Sequence, residues 1–291
     1  MKKNYKDYLI IIGSLLFLYF SLTNNKLINS SIINSISLFI KKVFPSLFPM
    51  IMINNILLDY NFSYYISKIF KEKGIKYYTM LLSIISGSPS NAIIIKELYK
   101  NKTIDNVMAN NLLTFTYFAS PIFLITMLST IFNYKTTIKL ILITYISNFI
   151  ISIFIPFNKI NPNLKKNENP SLSISISKCM NTLLMILGTI TFFILLSTFL
   201  INIFNLDPIN QVFIKGFLEL TQGLNALTII NNIKLKEIIA VMFISFGGLS
   251  IHMQIKSILK DTNLSYKYFL FGRLLSMIIS VLITITRSSL F

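Results

Sequence analysis

Residues Ile244–Gln254 read ISFGGLSIHMQ and continue an apolar run that starts at Ile238. Two glycines, two serines, a histidine and a glutamine therefore fall within or beside a hydrophobic segment. Glycine interrupts a membrane helix, and the backbone N–H groups of the helix that restarts attract polar or anionic groups. The stretch predicts an interrupted helix that carries polar side chains at membrane depth.

A second stretch, Ile84–Ala92, reads IISGSPSNA and has the same character. A shift of about 160 positions pairs Gly87 with Gly247 and Ser90 with Ser250, and such pairs of interrupted segments are typical of transporter binding sites. The pairing predicts two repeated halves, each with an interrupted hydrophobic segment.

The composition indicates a membrane protein. Of the 291 residues, 54% are hydrophobic and 13% are charged, whereas soluble domains carry roughly 25% charged residues. We predict an all-α polytopic membrane protein with about eight or nine hydrophobic segments, some of them interrupted or re-entrant. The formal net charge of +17 lies mostly in short loops, where it suits membrane topology and anionic headgroups rather than nucleic acid. A homo-oligomer stays open.

The predicted organisation has four parts. A proline-containing stretch between the apolar blocks indicates a link between two halves. The first apolar run follows Lys2 and Lys3 and lacks a small-residue cleavage site, so we interpret it as an uncleaved helix that starts on the cytoplasmic side. The parts are an N-terminal membrane helix over residues 1–26, a first repeat over 27–157, a linker over 158–173 and a second repeat over 174–291.

Two further interruptions are expected. Pro45 and Pro49 predict a bend in one segment, and Ala119-Ser120-Pro121 interrupts the span Leu112–Phe132. Residues 208–232 are ambiguous. Cys179 is the single cysteine, which excludes an intramolecular disulfide and a cysteine-based metal site.

The sequence contains no nucleotide-binding glycine loop, no metal-spaced His or Cys cluster and no nucleophile with a plausible base. We therefore predict a protein that is not an enzyme and that binds no cofactor and no metal. A coupling proton or Na⁺ stays open.

The candidate substrate-binding residues lie at the two interrupted stretches. Ser250 and Gln254 are four residues apart and are expected to share a helix face, and so are Ser86 and Ser90. The alternative is a tight helix-packing site of small residues. The candidates are Ser88, Ser90, Asn91, Gly247, Gly248, Ser250 and Gln254.

Two ionisable side chains are candidates for tuning charge or for coupling. Glu219 alone of the ten acidic residues lies within an apolar-flanked helical stretch, where helical spacing predicts one face with Gly216 and Gly223. His252 is the only histidine in the chain, and it titrates near neutral pH. The alternatives are a helix-capping or lysine-paired glutamate and a hydrogen-bonded structural histidine.

Five motifs together resemble the sporulation integral membrane protein YlbJ family. They occur in order over roughly residues 40–260, and the last is the most specific. The motifs are Pro45-Ser46-Leu47-Phe48-Pro49, Gly87-Ser88-Pro89-Ser90-Asn91-Ala92, Ser120-Pro121, Gly216-x-x-Glu219-x-Thr221-x-Gly223 and Phe246-Gly247-Gly248-Leu249-Ser250-x-His252-x-Gln254.

The resemblance implies a nucleoside-transporter-like Gate fold with two repeated halves and re-entrant hairpins. It implies a role in endospore formation, in a cell or forespore membrane of a low-GC Gram-positive bacterium. It also implies transport of dipicolinic acid, a small planar carboxylate whose charges suit helix N-termini and Ser, Asn or Gln donors. The alternatives are a membrane scaffold for sporulation without flux, and a transporter of a nucleoside or another solute.

Overall fold

The computed structural model describes residues 5–60, Phe62, Tyr65, 74–156 and 171–288. Throughout these residues the backbone forms helices joined by short turns. Most of the stretch 59–76, which we expect from its lysines to be a basic loop, lies outside the described residues, as do most of the predicted linker 158–173, Lys2 and Lys3.

We number the α-helices in chain order. Short π and 3₁₀ turns at Phe39–Val43 and Leu227–Ile229 follow α2 and α11. The helices are α1 Tyr5–Thr23, α2 Asn25–Leu38, α3 Phe44–Asp59, α4 Gly74–Ser86, α5 Ser90–Lys100, α6 Asn106–Phe115, α7 Pro121–Leu128, α8 Tyr134–Phe154, α9 Leu172–Ile203, α10 Pro208–Leu218, α11 Leu220–Ala226, α12 Ile233–Phe246, α13 Gly248–Leu259 and α14 Tyr266–Ser288.

Five helical stretches of the described residues are long and apolar enough to cross a membrane, and Asp7–Thr23 is a shorter apolar helix. This arrangement confirms the predicted all-α polytopic membrane fold, so the chain is an integral membrane protein. The five stretches are Asn25–Asp59, Tyr134–Phe154, Leu172–Ile203, Ile233–Leu259 and Tyr266–Thr286.

The span Ile233–Leu259 lies at the centre of the protein. Its most apolar window is 72% buried, against 28–50% for the other four spans. The span contains the predicted interruption, because Gly247, with φ 91°, separates α12 from α13, and Gly248, the first residue of α13, has φ 73°. A side chain strains this left-handed conformation, so glycine is the residue that accommodates it. The predicted break at Gly247–Gly248 is confirmed.

Two long helical stretches, Asn25–Asp59 and α9, run antiparallel beside this central span. Ser31 Oγ lies 3.2 Å from Thr198 Oγ1, and Asn55 Nδ2 donates to the Ser175 carbonyl oxygen over 3.3 Å. Because Ser31 is early in the first stretch and Thr198 late in α9, these contacts fix the antiparallel direction. At one end, Lys178 Nζ and Asp59 Oδ1 form an ion pair of 2.6 Å. Serine and threonine contacts of this kind join helices where lipid supplies no water.

Four helices begin with a side-chain cap at a loop. Asp105, Asn133, Asp207 and Asn232 each accept a hydrogen bond from a backbone N–H of the first turn that follows, at α6, α8, α10 and α12. Such caps satisfy backbone donors that have no partner within the helix. The local sequence therefore fixes where these helices start.

Two pairs of helices are hairpins. Helices α4 and α5 are joined by the turn Gly87–Pro89, and α10 and α11 by a bend at Glu219. In the second hairpin the helices touch closely, since a Cβ added to Gly223 would lie 2.1 Å from the Gly216 Cα. The ambiguous region 208–232 is therefore a helical hairpin.

Two other pairs, α6–α7 and α12–α13, are each a helix that is broken in the middle. Each broken helix extends from one apolar core of the protein into the other. The first core contains buried side chains of α3 and α7–α12, and the second contains those of α4–α6, α13 and the start of α14. Helix α6 lies in the second core and its continuation α7 in the first, whereas α12 lies in the first core and α13 in the second. The two broken helices thus cross the boundary in opposite directions, while each hairpin stays in one core.

The described helices follow a similar order in the two predicted halves. Each half has a long helical stretch, then a hairpin, then a broken helix and then a further span. This order matches Gly87 with Glu219, both at hairpin bends, and Tyr117 with Gly247, both at breaks. The expected pairing of Gly87 with Gly247 stays a prediction; in the structure Gly87 lies at a hairpin bend and Gly247 at a helix break. Both glycines have positive φ, so their local sequences look alike although their elements differ.

Candidate functional site

The two hairpin bends and the two helix breaks meet at the centre of the protein. The Ser88 backbone N–H donates to the Phe118 carbonyl oxygen over 2.9 Å. A Cβ added to Gly248 would lie 3.1 Å from the Leu220 backbone nitrogen, and one added to Gly247 would lie 2.6 Å from Tyr117 Oη. Each bend therefore touches the break of its own half, and the two breaks touch each other.

A small cavity, with a volume of about 40 Å³, lies at this junction. Val43 and Ile190, from the middle of the two long helical stretches, contribute to its wall. The cavity is thus about halfway along both stretches, the depth at which transporters bind their substrates. Its polar lining comes from all four interruptions: Ser88, Tyr117, Ser120, Glu219, Thr221 and Ser250, with Gln254 one turn beyond Ser250.

Four hydroxyl groups of this lining have no hydrogen-bond partner: those of Ser88, Tyr117, Ser120 and Ser250. Tyr117, Ser120 and Ser250 are each 1% exposed. Leaving a buried hydroxyl unpaired costs about 1–3 kcal/mol, so a cluster of four is a strong sign of a site for a polar ligand. Each hydroxyl can donate one hydrogen bond and accept others.

Glu219 contributes a carboxylate to the same cavity. Its side chain is 3% exposed, and its Oε2 accepts a hydrogen bond from Thr221 Oγ1 and another, of 2.7 Å, from the Gln222 backbone N–H. Glu219 is thus the N-cap of α11. Its backbone is extended, with φ −144° and ψ 121°.

The prediction that Gly216, Glu219 and Gly223 share one helical face is wrong, because α10 ends at the bend that Glu219 forms. The two glycines instead face each other across the hairpin. A Cβ added to Gly216 would lie 2.2 Å from the Phe243 ring. The spacing therefore reflects close packing on both sides of a bend, and this packing holds the carboxylate at the cavity.

The starts of three helices at the interruptions lack side-chain caps. The residues at the N-cap positions of α5, α7 and α13 are Pro89, Ser120 and Gly247, and none of them caps its helix through a side chain. Uncapped helix N-termini carry partial positive charge and free N–H donors. Together with the four unpaired hydroxyls, these ends suit an anionic or polar solute.

Ser250 and Gln254 share the cavity face of α13, as their spacing predicts. Gln254 Nε2 donates to Thr189 Oγ1 over 2.6 Å, which orients its amide from the neighbouring α9. By contrast, Ser86 and Ser90 do not share a helix face, because the turn Gly87–Pro89 separates α4 from α5.

Four predicted site residues lie beside the cavity lining. Ser90 and Asn91 are fully buried in the first turn of α5, and their side-chain polar atoms have no partner. Gly247 and Gly248 form the break itself, where their backbone rather than a side chain approaches Tyr117 and Leu220. Their conformation positions the start of α13 at the cavity.

His252 faces away from the central cavity. Its Nδ1 lies 2.7 Å from Tyr266 Oη, and its Nε2 lies 3.0 Å from the Phe246 carbonyl oxygen. A carbonyl only accepts hydrogen bonds, so Nε2 is the protonated nitrogen. Phe246 is the last residue of α12, and the imidazole therefore satisfies a carbonyl that the break leaves without a helical partner. This geometry favours the structural alternative for His252.

Three lining residues and one supporting residue were not among the predicted site residues. Tyr117, Ser120 and Thr221 line the cavity, and Arg273 packs behind Tyr117, with Cζ 4.3 Å from the ring centroid. Pro121 marks the interruption next to Ser120, and an arginine within the last apolar span is itself a signal. Tyr117 carries no local signal, because aromatic residues are common throughout this chain.

Among the described residues, no group of three or more His, Cys, Asp and Glu side chains could hold a metal ion. The chemistry of the cavity therefore consists of hydroxyl groups, an amide, one carboxylate and helix ends. This set can bind a polar solute and can carry a proton at Glu219.

Comparison with known proteins gives one informative relative. The chain is 24% identical over 298 aligned residues to the sporulation integral membrane protein YlbJ of Bacillus subtilis (strain 168), and the alignment covers 82% of this chain and 72% of that protein. No family model and no solved structure matches the chain. The similarity to a sporulation protein agrees with the resemblance that the five motifs carry.

Proposed function

We propose that this protein is a secondary transporter of a small carboxylate, dipicolinate, that acts in endospore formation. The observation that carries the proposal is the group of four unpaired hydroxyls where two hairpins and two broken helices meet. Buried polar groups in proteins are nearly always hydrogen-bonded, so this group of unpaired hydroxyls supports a site for a polar ligand. The name of the similar Bacillus subtilis protein supports the sporulation context.

The opposite directions of the two broken helices support an inverted-repeat transport mechanism. In such transporters, movement of one element against another exposes a midplane site to each side in turn. We propose that the two hairpins, which belong to different cores, are the elements that move.

Dipicolinate carries two carboxylates, which accept hydrogen bonds from serine and tyrosine hydroxyls and from helix N-termini. Glu219 would repel such a dianion if both were fully ionised in the buried cavity. A proton shared between Glu219 and a substrate carboxylate removes this repulsion, since two close carboxylates cannot both ionise at low cost. We therefore propose that one proton accompanies the substrate through Glu219.

A neutral, hydroxyl-rich solute such as a nucleoside is the second candidate. The carboxylate of Glu219 can accept hydrogen bonds from hydroxyl groups, and the cavity lining contains no lysine or arginine side chain. Competition between the two classes distinguishes them.

Uptake into proteoliposomes tests the proposal. Purified protein is reconstituted, the membrane potential is clamped at zero, and uptake of labelled dipicolinate is compared with that of protein-free vesicles. Saturable uptake that unlabelled dipicolinate inhibits and uridine does not is the expected result. Uptake of labelled uridine would favour the nucleoside candidate, and folded protein without any flux would favour a membrane scaffold.

Glu219→Gln is predicted to uncouple transport from the pH gradient. With one coupled proton and no membrane potential, a gradient of one pH unit sustains about a tenfold accumulation of substrate in the wild type. Glutamine retains the shape of the side chain but cannot carry the proton, so accumulation in the variant is expected to stay near onefold. Dipicolinate accumulation measured at several imposed gradients checks this prediction.

The control for this variant is Glu237→Gln, which removes a carboxylate paired with Lys139 at 2.6 Å and not part of the cavity lining. It is expected to keep the wild-type response to the gradient. An unchanged response in Glu219→Gln would remove Glu219 from the coupling step.

A further inference from the structure

Arg273 is fully buried and links the ends of both broken helices. Its Nη1 donates to the Ser245 carbonyl oxygen and its Nη2 to the Thr114 carbonyl oxygen, each over 3.3 Å. Thr114 lies in the last turn of α6, and Ser245 in the last turn of α12. One guanidinium thus caps the C-terminal ends of the two half-helices that lead to the breaks.

A close contact holds Arg273 in this place. A Cβ added to Gly272, the preceding residue, would lie 1.8 Å from the Thr114 carbonyl oxygen. Asn148 Oδ1 accepts a 2.8 Å hydrogen bond from Nη2, and the Asn148 amide donates to the Tyr117 carbonyl oxygen over 2.7 Å. Arg273 is therefore an integral part of the packing at the first break, between α6 and α7.

The charges at the breaks do not cancel symmetrically. Each helix C-terminus carries roughly −0.5 and each N-terminus roughly +0.5 elementary charge. Arg273 offsets the negative ends of α6 and α12, and among the described residues no carboxylate forms an ion pair with it. The positive ends of α7 and α13, which lack side-chain caps, remain at the cavity.

Tyr117 connects this charge to the cavity. The Arg273 Cζ lies 4.3 Å from the Tyr117 ring centroid, and Tyr117 Oη lines the cavity without a hydrogen-bond partner. A cation over the face of a phenol polarises the ring and strengthens its hydroxyl as a donor. Arg273 itself does not line the cavity.

We propose that Arg273 is a positioning residue that makes the central cavity selective for anions. It offsets the negative ends of both broken helices and adds positive potential behind Tyr117. This inference rests on the proposed carboxylate transport and identifies the source of its charge selectivity, which the cavity lining lacks because Glu219 is its only charged side chain.

The test measures binding of two related ligands by calorimetry on purified protein: dipicolinate, a dianion, and pyridine-2-carboxylate, a monoanion. A long-range charge effect scales with the ligand's charge, whereas a purely structural change weakens both ligands by a similar factor. We expect Arg273→Gln to weaken the monoanion about tenfold and the dianion about 100-fold. Arg273→Lys, which keeps the charge, is expected to restore most of the ratio between the two affinities.

Lys267→Gln is the matched control, because it removes one positive charge from an exposed position of the same helix. It should leave both affinities within about twofold of the wild type. Equal weakening of both ligands in Arg273→Gln, or failure of Arg273→Lys to restore the ratio, would overturn the inference alone. Wild-type protein that binds neither carboxylate would overturn the proposed function and, with it, this inference.

Discussion

Gly272→Ala is expected to destabilise the protein by about 3 kcal/mol or more. The new methyl group would lie 1.8 Å from the Thr114 carbonyl oxygen, which is backbone and cannot rotate away. Helix α14 must therefore move from the end of α6, and Arg273 then loses its contacts at both breaks. Thermal unfolding in detergent, followed by circular dichroism, should show a midpoint about 6 °C or more below that of the wild type.

Gly188→Ala is the control for this substitution. Gly188 lies in the middle of α9, and nothing is within 4 Å of its added Cβ. Alanine favours a helix over glycine by up to about 1 kcal/mol, so this variant should match or exceed the wild-type midpoint. Equal midpoints for Gly272→Ala and the wild type would show that α14 does not pack against α6 as described.

Ser250→Leu is predicted to reduce dipicolinate uptake by about 10- to 100-fold, because added bulk in a packed site costs about 1–3 kcal/mol. Ser250 is 1% exposed, and its unpaired hydroxyl lines the cavity at the start of α13. Leucine both removes that donor and fills the space for the solute. Uptake into proteoliposomes that contain equal amounts of folded variant and wild-type protein measures the loss.

Ser257→Leu provides a matched comparison on the same helix. Ser257 is exposed and does not line the central cavity, so the same chemical change there should leave uptake within about twofold of the wild type. Similar losses in both variants would place the cause in the stability of α13 rather than in the site.

The sequence predicts the breaks well because glycine chemistry is local. Gly87 and Gly247 interrupt apolar runs, and both adopt positive φ. Ser250 and Gln254 share a face by helical spacing alone, and both line the cavity. Features that depend only on the conformation of a few neighbouring residues can therefore be predicted from the sequence without knowledge of the tertiary structure.

The parts that the sequence does not reveal depend on distant partners. At the Thr116–Ser120 break, Tyr145 and Asn148 of α8 donate to carbonyl groups of the break, and Arg273 of α14 donates to the Thr114 carbonyl just before it. No local sequence pattern at the break indicates these donors. The sequence of the break alone therefore does not identify Tyr117 or Arg273 as residues of the site. Polar residues scattered through later apolar spans are the available signal, because each must find a partner within the membrane.

Glu219 illustrates how one spacing can have two explanations. Glycines three before and four after a glutamate suggest a single helical face, but the same residues also allow a tight hairpin with the glutamate as its cap. Only the packing of α10 on α11 decides between them. The same ambiguity affects the pairing of Gly87 with Gly247, since a glycine at a hairpin bend and one at a helix break have similar local sequences.

Protection of engineered cysteines by substrate tests the central claim that the four interruptions form one solute site. Cysteine would replace Ser88, Ser120, Ser250 or Thr221, one from each interruption, in a Cys179→Ser background. The rate of labelling by a small hydrophilic thiol reagent is then measured with and without dipicolinate. The control is Ser257→Cys, on the exposed side of α13.

We predict that saturating dipicolinate slows labelling at all four cavity positions by about tenfold, as expected when a bound ligand occupies about nine-tenths of the sites. Labelling of Ser257→Cys should not change. The same half-maximal concentration is expected at each of the four positions, because one ligand protects all of them. Protection at none of these positions, or at only one of them, would contradict the claim that the hairpin bends and helix breaks build a single binding site.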